Sequence, residues 1–171
     1  QKLRQKLAIP LVFMTYYNPV LHFGLDSFCT ACTQAGVDGL LIPDLPPDEA
    51  TALDASAHRH ALDLIFLLTP TSTTERIRLV AEKSRGFIYL VSLTGVTGAR
   101  DSLPAELEDF VNRVRQKARL PLCVGFGISS PEQARRVAAL ADGVIVGSQL
   151  IKLIAENASL EKLKSFIQGL R

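Results

Sequence analysis

Short runs of apolar residues alternate along the chain with longer stretches in which apolar positions recur every three or four residues. The short runs are Pro10–Thr15, Gly39–Ile42, Leu64–Leu68, Phe87–Val91, Leu122–Val124 and Gly143–Val146. They are rich in Val, Ile, Leu and Phe and apolar at successive positions, the pattern of parallel strands buried on both faces. Helical spacing predicts helices over Leu25–Ala35, Pro47–His60, Thr74–Lys83, Pro104–Ala118, Pro131–Leu140 and Gln149–Gln168. Several carry start signals: Pro47-Asp48-Glu49, Ser72-Thr73-Thr74-Glu75 and Ser129-Ser130-Pro131-Glu132 each put a capping or acidic group in a first turn. Strict alternation of strand and helix predicts an α/β fold with a parallel sheet and helices outside it. No low-complexity linker interrupts the pattern, so residues 1–171 read as one domain.

About six βα units are visible, whereas a closed TIM (β/α)8 barrel has eight and spans ~250 residues. The chain opens on Gln1, and the basic stretch Gln1–Lys6 reads as the end of a helix. The expectation is a partial TIM barrel covering roughly strands 3–8, with two N-terminal βα units, roughly 80 residues, absent. An open doubly wound sheet is the competing architecture. A barrel lacking two adjacent strands exposes two sheet edges, which predicts marginal stability.

Composition narrows the function classes. The chain has 171 residues, 47% of them hydrophobic, enough for a real core. Net charge is +2 with no basic block, which argues against a nucleic-acid partner. No apolar run approaches the ~20 residues of a membrane span and no signal-peptide pattern opens the chain. The three cysteines cannot form a disulfide framework, which favours a reducing, cytoplasmic setting. Cys29 and Cys32 form a C-x-x-C inside a helical pattern and read as two small residues on one helix face; Cys123 reads as packed core or barrel lining. His22, His58 and His60 match neither a zinc site nor a catalytic triad. Lys152 reads as surface, and no predicted strand carries a lysine for Schiff-base chemistry.

The candidate chemistry sits in three glycine turns, each just past an apolar strand. They are Leu93-Thr94-Gly95-Val96-Thr97-Gly98, Gly125-Phe126-Gly127-Ile128-Ser129 and Gly147-Ser148. Glycine lets main-chain N–H groups approach a ligand without a Cβ in the way. The last two turns run into helices, whose N-termini add unpaired donors and a favourable dipole for an anion. Glycine turns after the late strands are where a (β/α) barrel holds phosphate. None of the three contains Lys or Arg, apart from Arg100 just beyond the first, so the expected grip on phosphate is by amides. The polar stretch from Gly95 to Ser102 has no periodicity and reads as a lid.

These turns appear in order with Thr15-Tyr16-Tyr17-Asn18-Pro19, Gly36-Val37-Asp38-Gly39, Pro43-Asp44-Leu45-Pro46 and Thr69-Pro70-Thr71-Ser72. The ordered series resembles the α subunit of tryptophan synthase across essentially the whole chain. The resemblance implies cleavage of indole-3-glycerol phosphate to indole and glyceraldehyde 3-phosphate. It also implies a β subunit as partner in an α2β2 complex, with pyridoxal phosphate only in that partner and no cofactor or metal here. By the same resemblance Gly98, Gly127, Gly147 and Ser148 bind the substrate phosphate. Tyr89 lies on the barrel floor, Phe126 contacts the substrate, and Thr97 supports catalysis from the mobile loop. Tyr16, Asn18, Asp44 and Pro46 face the β subunit.

The family's two catalytic carboxylates, a glutamate ending the second strand and an aspartate in the following loop, have no match here. Glu49 begins a helix and Asp44 corresponds to a loop and interface residue. The reaction is a retro-aldol cleavage that needs protonation at indole C3 and removal of protons from N1 and a glycerol hydroxyl, work suited to buried carboxylates. The 171-residue chain is therefore expected to be inactive alone. Two other readings stay open: another phosphate-binding TIM-barrel enzyme, an isomerase or synthase of histidine, tryptophan or thiamin-phosphate metabolism, and a non-catalytic assembly fragment.

Overall fold

The computed structural model describes residues 1–92, 105–125 and 127–170. In chain order the elements are β1 (Val12–Met14), α1 (Tyr17–Phe23), α2 (Leu25–Ala35), β2 (Gly39–Leu41), α3 (Thr51–Arg59), β3 (Asp63–Ile65), β4 (Leu67–Leu68) and α4 (Thr74–Lys83). There follow β5 (Ile88–Val91), α5 (Ala105–Arg115), β6 (Leu122–Gly125), α6 (Pro131–Ala138), β7 (Gly143–Ile145), α7 (Ser148–Ala155) and α8 (Leu160–Gly169).

Among the described residues every strand pairing is parallel, and the order is sequential: β1-β2-β3 and β4-β5-β6-β7. β3 and β4 are two halves of one course, interrupted at Phe66. β3 pairs back to β2 and β4 pairs forward to β5. The Phe66 carbonyl still accepts from Tyr89 N at 3.1 Å, and Leu64 O accepts from Arg85 N at 3.1 Å. Sequential order decides between the two architectures. Right-handed crossovers that always step the same way place every helix on one face, as in a barrel, whereas a doubly wound sheet reverses direction.

Side-chain alternation shows the same thing. Leu40, Leu64, Phe66, Leu68, Ile88, Leu90, Leu122 and Val124 join helix residues such as Cys29, Leu53, Ile77, Phe110 and Val137 in one buried cluster. The opposite parity, Leu41, Ile65 and Tyr89 with Leu67, Phe87, Val91 and Ile145, forms a smaller cluster of strand side chains alone. The first cluster joins sheet to helices and the second lines the concave face. Each fully buried Leu or Phe contributes about 1.5–3 kcal/mol, so the outer layer holds the fold together.

The N-terminal segment is tied down by Arg4. Its guanidinium donates to Gly36 O at 2.8 Å and Ile9 O at 2.9 Å, and pairs with Asp38, whose carboxylate also accepts from Leu11 N at 2.7 Å. Gly36 closes α2 at φ 80°, and a Cβ there would fall 2.6 Å from Arg4 Cγ, so both backbone and packing require glycine.

Several boundaries differ from the sequence reading. α1, containing Pro19 in its first turn, occupies a stretch for which the apolar pattern predicts no element, and it takes in His22. The helix expected from Pro47 starts at Thr51, because residues 47–50 form a turn in which Glu49 N donates to Pro46 O. The single helix expected over Gln149–Gln168 is two, broken where Asn157 adopts φ 52° and Ser159 caps α8 by accepting from Lys162 N. The C-x-x-C behaves as read: Cys29 and Cys32 are buried on α2. Burial pushes the Cys32 thiol up to about 11, so it is not a thiolate at neutral pH.

Candidate functional site

Of the predicted site residues, Gly127, Gly147 and Ser148 follow the C-terminal ends of neighbouring parallel strands, along one rim. Register places Val91 of β5 opposite Gly125 of β6, and Gly125 opposite Ile145 of β7. The turns after β6 and β7 are therefore neighbours, and Ser92 N, just past β5, donates to Gly125 O at 3.0 Å. Ser92 is buried at this junction.

Beneath the rim lies Tyr89, 8% exposed, with its hydroxyl on the concave face. A Cβ on Gly125 would meet Tyr89 Oη at 2.5 Å and Ile145 Cβ at 2.9 Å. Gly125 thus makes room for the phenol, and burial raises the hydroxyl above its ordinary value, keeping it neutral.

Past β6, Gly127 takes φ 78°, a conformation that L side chains rarely adopt. The chain then enters α6 through a compact cap. Ser130 Oγ accepts from Gln133 N at 3.2 Å, and Gln133 Oε1 accepts from Ser129 N at 2.8 Å and Ser129 Oγ at 3.1 Å. The Ser129 amide is therefore spent within its own helix start. Past β7, Gly147 caps α7 at φ −127°, and its carbonyl accepts from Ile151 N at 3.0 Å. A Cβ there would meet nothing within 4 Å, and both Gly147 and Ser148 are exposed. Among the described residues, no acceptor takes the amides of Gly127, Gly147 or Ser148. Thr97, Gly98, Arg100 and Phe126 lie outside the described residues.

At the other end of the rim, Asp44 Oδ1 accepts from Tyr17 N at 2.8 Å and so caps α1. That bond brings together the two segments expected to face a partner, with Tyr16, Asn18 and Asp44 exposed and Pro46 half-buried. A cleft of about 310 Å³ runs from Asp44 and Pro46 past Thr69 and Ser72 to Val91. Its polar wall is a turn in which Ser72 Oγ accepts from Thr69 N at 3.0 Å and Thr69 Oγ1 lies 2.9 Å from Thr71 Oγ1. Arg76, also in the wall, pairs with Asp48.

The motif series contains Thr69–Ser72 and runs from Ser92 into the first glycine turn, and it assigns a role to neither. Their hydroxyls follow strands β4 and β5 directly, and that position is the signal that could have marked them. No group of His, Cys, Asp and Glu among the described residues could hold a metal ion, and no helix among them is long and apolar enough to cross a membrane.

The family model described as Tryptophan synthase alpha chain matches residues 1–168. A tryptophan synthase alpha chain from Dehalococcoides mccartyi is 60% identical over 169 residues, which covers 99% of this chain and 66% of that protein. One from Geobacter sulfurreducens is 49% identical over 174 residues, covering 100% and 66%. Among solved structures, the tryptophan synthase a2b2 complex from Pyrococcus furiosus contains a chain that superposes with a TM-score of 0.90 at 36% identity, covering 99% of this chain and 69% of that one. The chain spans about two thirds of the length of the curated relatives it matches.

Proposed function

Because the chain belongs to the tryptophan synthase alpha chain family, we propose that it supplies the phosphate-holding side of an indole-3-glycerol phosphate lyase. The observation that carries this reading is the pair of adjacent turns whose amides at Gly127, Gly147 and Ser148 meet no acceptor among the described residues.

In this reading those amides, with the Ser148 hydroxyl and the dipole of α7, hold the phosphate dianion without a lysine or arginine. Each charge-assisted bond is worth about 1.5–3 kcal/mol, binding energy that fixes the reacting end of the substrate remotely. The space open above Gly147 fits close approach of a phosphate to the backbone. By the family resemblance Gly98 also holds the phosphate, Phe126 contacts the substrate and Thr97 supports catalysis.

Tyr89 forms the floor, its neutral hydroxyl presented towards the indole end. Carbon–carbon cleavage needs acid and base groups that protonate indole C3 and take protons from N1 and the glycerol hydroxyl. In this reading none of the 171 residues is assigned an acid or base role, and their part in the reaction is to hold and orient the substrate. The chemistry needs no cofactor. Tyr16, Asn18, Asp44 and Pro46, drawn together by the Tyr17–Asp44 bond, face a β subunit.

The test is to assay indole release by the 171-residue chain alone and together with a separate polypeptide equivalent to the N-terminal third of a relative. Release only in the mixture is expected, lost with Gly147→Asp, which sets a carboxylate where the phosphate belongs. Release by the chain alone refutes the division of labour. Full release with Gly147→Asp refutes the phosphate site.

A further inference from the structure

A second cleft, about 300 Å³, lies between α4 and the segment that follows α5, lined by Arg78, Ala81, Glu82, Lys117, Arg119 and Leu120. α4 runs back from the rim towards the start of β5, and residues 116–121 lead from α5 into β6. The cleft therefore sits towards the opposite end of the sheet from the glycine turns, and the lyase chemistry makes no use of it.

Its charge is unbalanced. Arg78, Lys117 and Arg119 are exposed, and among the described residues none of them forms an ion pair. By contrast Arg4, Arg59, Arg76, Arg115 and Arg136 all do. A helix C-terminus carries about half a negative charge, so a lone cation beside one is ordinary compensation. The cleft's own lining carries three cations against the one carboxylate of Glu82, while Glu75, a turn earlier on α4, offsets part of the Arg78 charge from outside the cleft.

Half-buried Ala81 and Leu120 give the cleft an apolar floor that limits hydration of the walls. A concave surface with an excess of one sign concentrates counter-ions. Two guanidinium forks and one ammonium match the oxygens of a phosphate, and the volume admits one with a small substituent.

We propose that this cleft binds the phosphate group of a small molecule, separately from the glycine turns. Inorganic phosphate and phosphate monoesters share the chemistry it would recognise.

Titrating the 15N-labelled chain with inorganic phosphate, and separately with glycerol 3-phosphate, reads the amides of Ala81, Glu82 and Leu120 independently of Gly127 and Gly147. Saturable shifts in the first set are expected, and the tighter probe identifies the source. Arg78→Gln with Arg119→Gln is expected to weaken binding at least about tenfold, the loss of one charge-assisted contact or more. Glu82→Gln is expected to tighten it several-fold, a gain that misfolding does not produce. The proposal fails if the shifts do not saturate, if sodium chloride at matched ionic strength reproduces them, or if both variants bind as the parent does.

Discussion

Gly125 and Tyr89 share one volume across neighbouring strands. Gly125 has no positive φ to demand glycine; what demands it is the phenol 2.5 Å from where its Cβ would stand. Gly125→Ala is expected to destabilise the chain by about 1–3 kcal/mol, the usual range for overpacking, measured by urea unfolding. Adding Tyr89→Phe removes the atom that comes nearest and returns part of the loss. A neutral Gly125→Ala would contradict this account. At this scale the motif order names Tyr89, Gly127, Gly147 and Ser148, and the strand registers place β5, β6 and β7, which carry or lead to them, side by side. The sequence is silent on why Gly125 is glycine, since that depends on a contact between residues 36 apart in sequence, formed only by β pairing.

Between elements, the contact with a readable pH signature joins α2 to α3. Asp26 opens α2, and Oδ1 accepts from Arg59 at 2.7 Å and from Ser56 at 3.0 Å, with His60 Nε2 at 3.1 Å. The Arg59 guanidinium, followed by His60 and Ser56, holds this carboxyl at about 2. A folded value below the unfolded ~3.9 means that the contribution is present above about pH 4 and is lost as pH falls towards 2. Asp26→Asn is expected to flatten that acid limb in a pH series of thermal melts. At neutral pH the loss should be no more than a few degrees in Tm, because the carboxylate is 62% exposed and screened by solvent. An unchanged acid limb would show that Asp26 does not couple the helices.

Helix positions were legible wherever apolar spacing and a cap agreed, as at α4, expected and found over Thr74–Lys83. They were misread where spacing outran the backbone. Apolar residues continue in phase from α7 into α8, yet Asn157 turns left-handed and Ser159 starts a new helix, a signal present in the Ser-Leu-Glu run. The Pro46-Pro47 turn likewise delays α3, and α1 escaped notice because its capping carboxylate, Asp44, lies 27 residues downstream.

For the whole molecule, the two margins of the sheet matter most. β1 pairs only with β2 and β7 only with β6 among the described strands. At the β1 margin Val12, Phe13 and Met14 are 38%, 45% and 64% exposed. In the isolated 171-residue polypeptide this edge has no described partner, and such an apolar edge is a template for another chain. Sedimentation velocity is expected to show association that grows with concentration, and Phe13→Lys to raise the onset several-fold by charging the edge. A chain that stays monomeric throughout would refute this. The alternating pattern left both barrel and doubly wound sheets open, because both contain the same βα units. Strand order separates them, and order is a property of how crossovers step in space.

The interruption at Phe66 also has a mechanical meaning. Below it the strand is braced by β2, above it by β5, so load crosses between the two halves through the backbone at Phe66, the Tyr89 N–Phe66 O bond and the buried packing around that side chain. Phe66 is the joint at which one neighbour hands the strand over to the other.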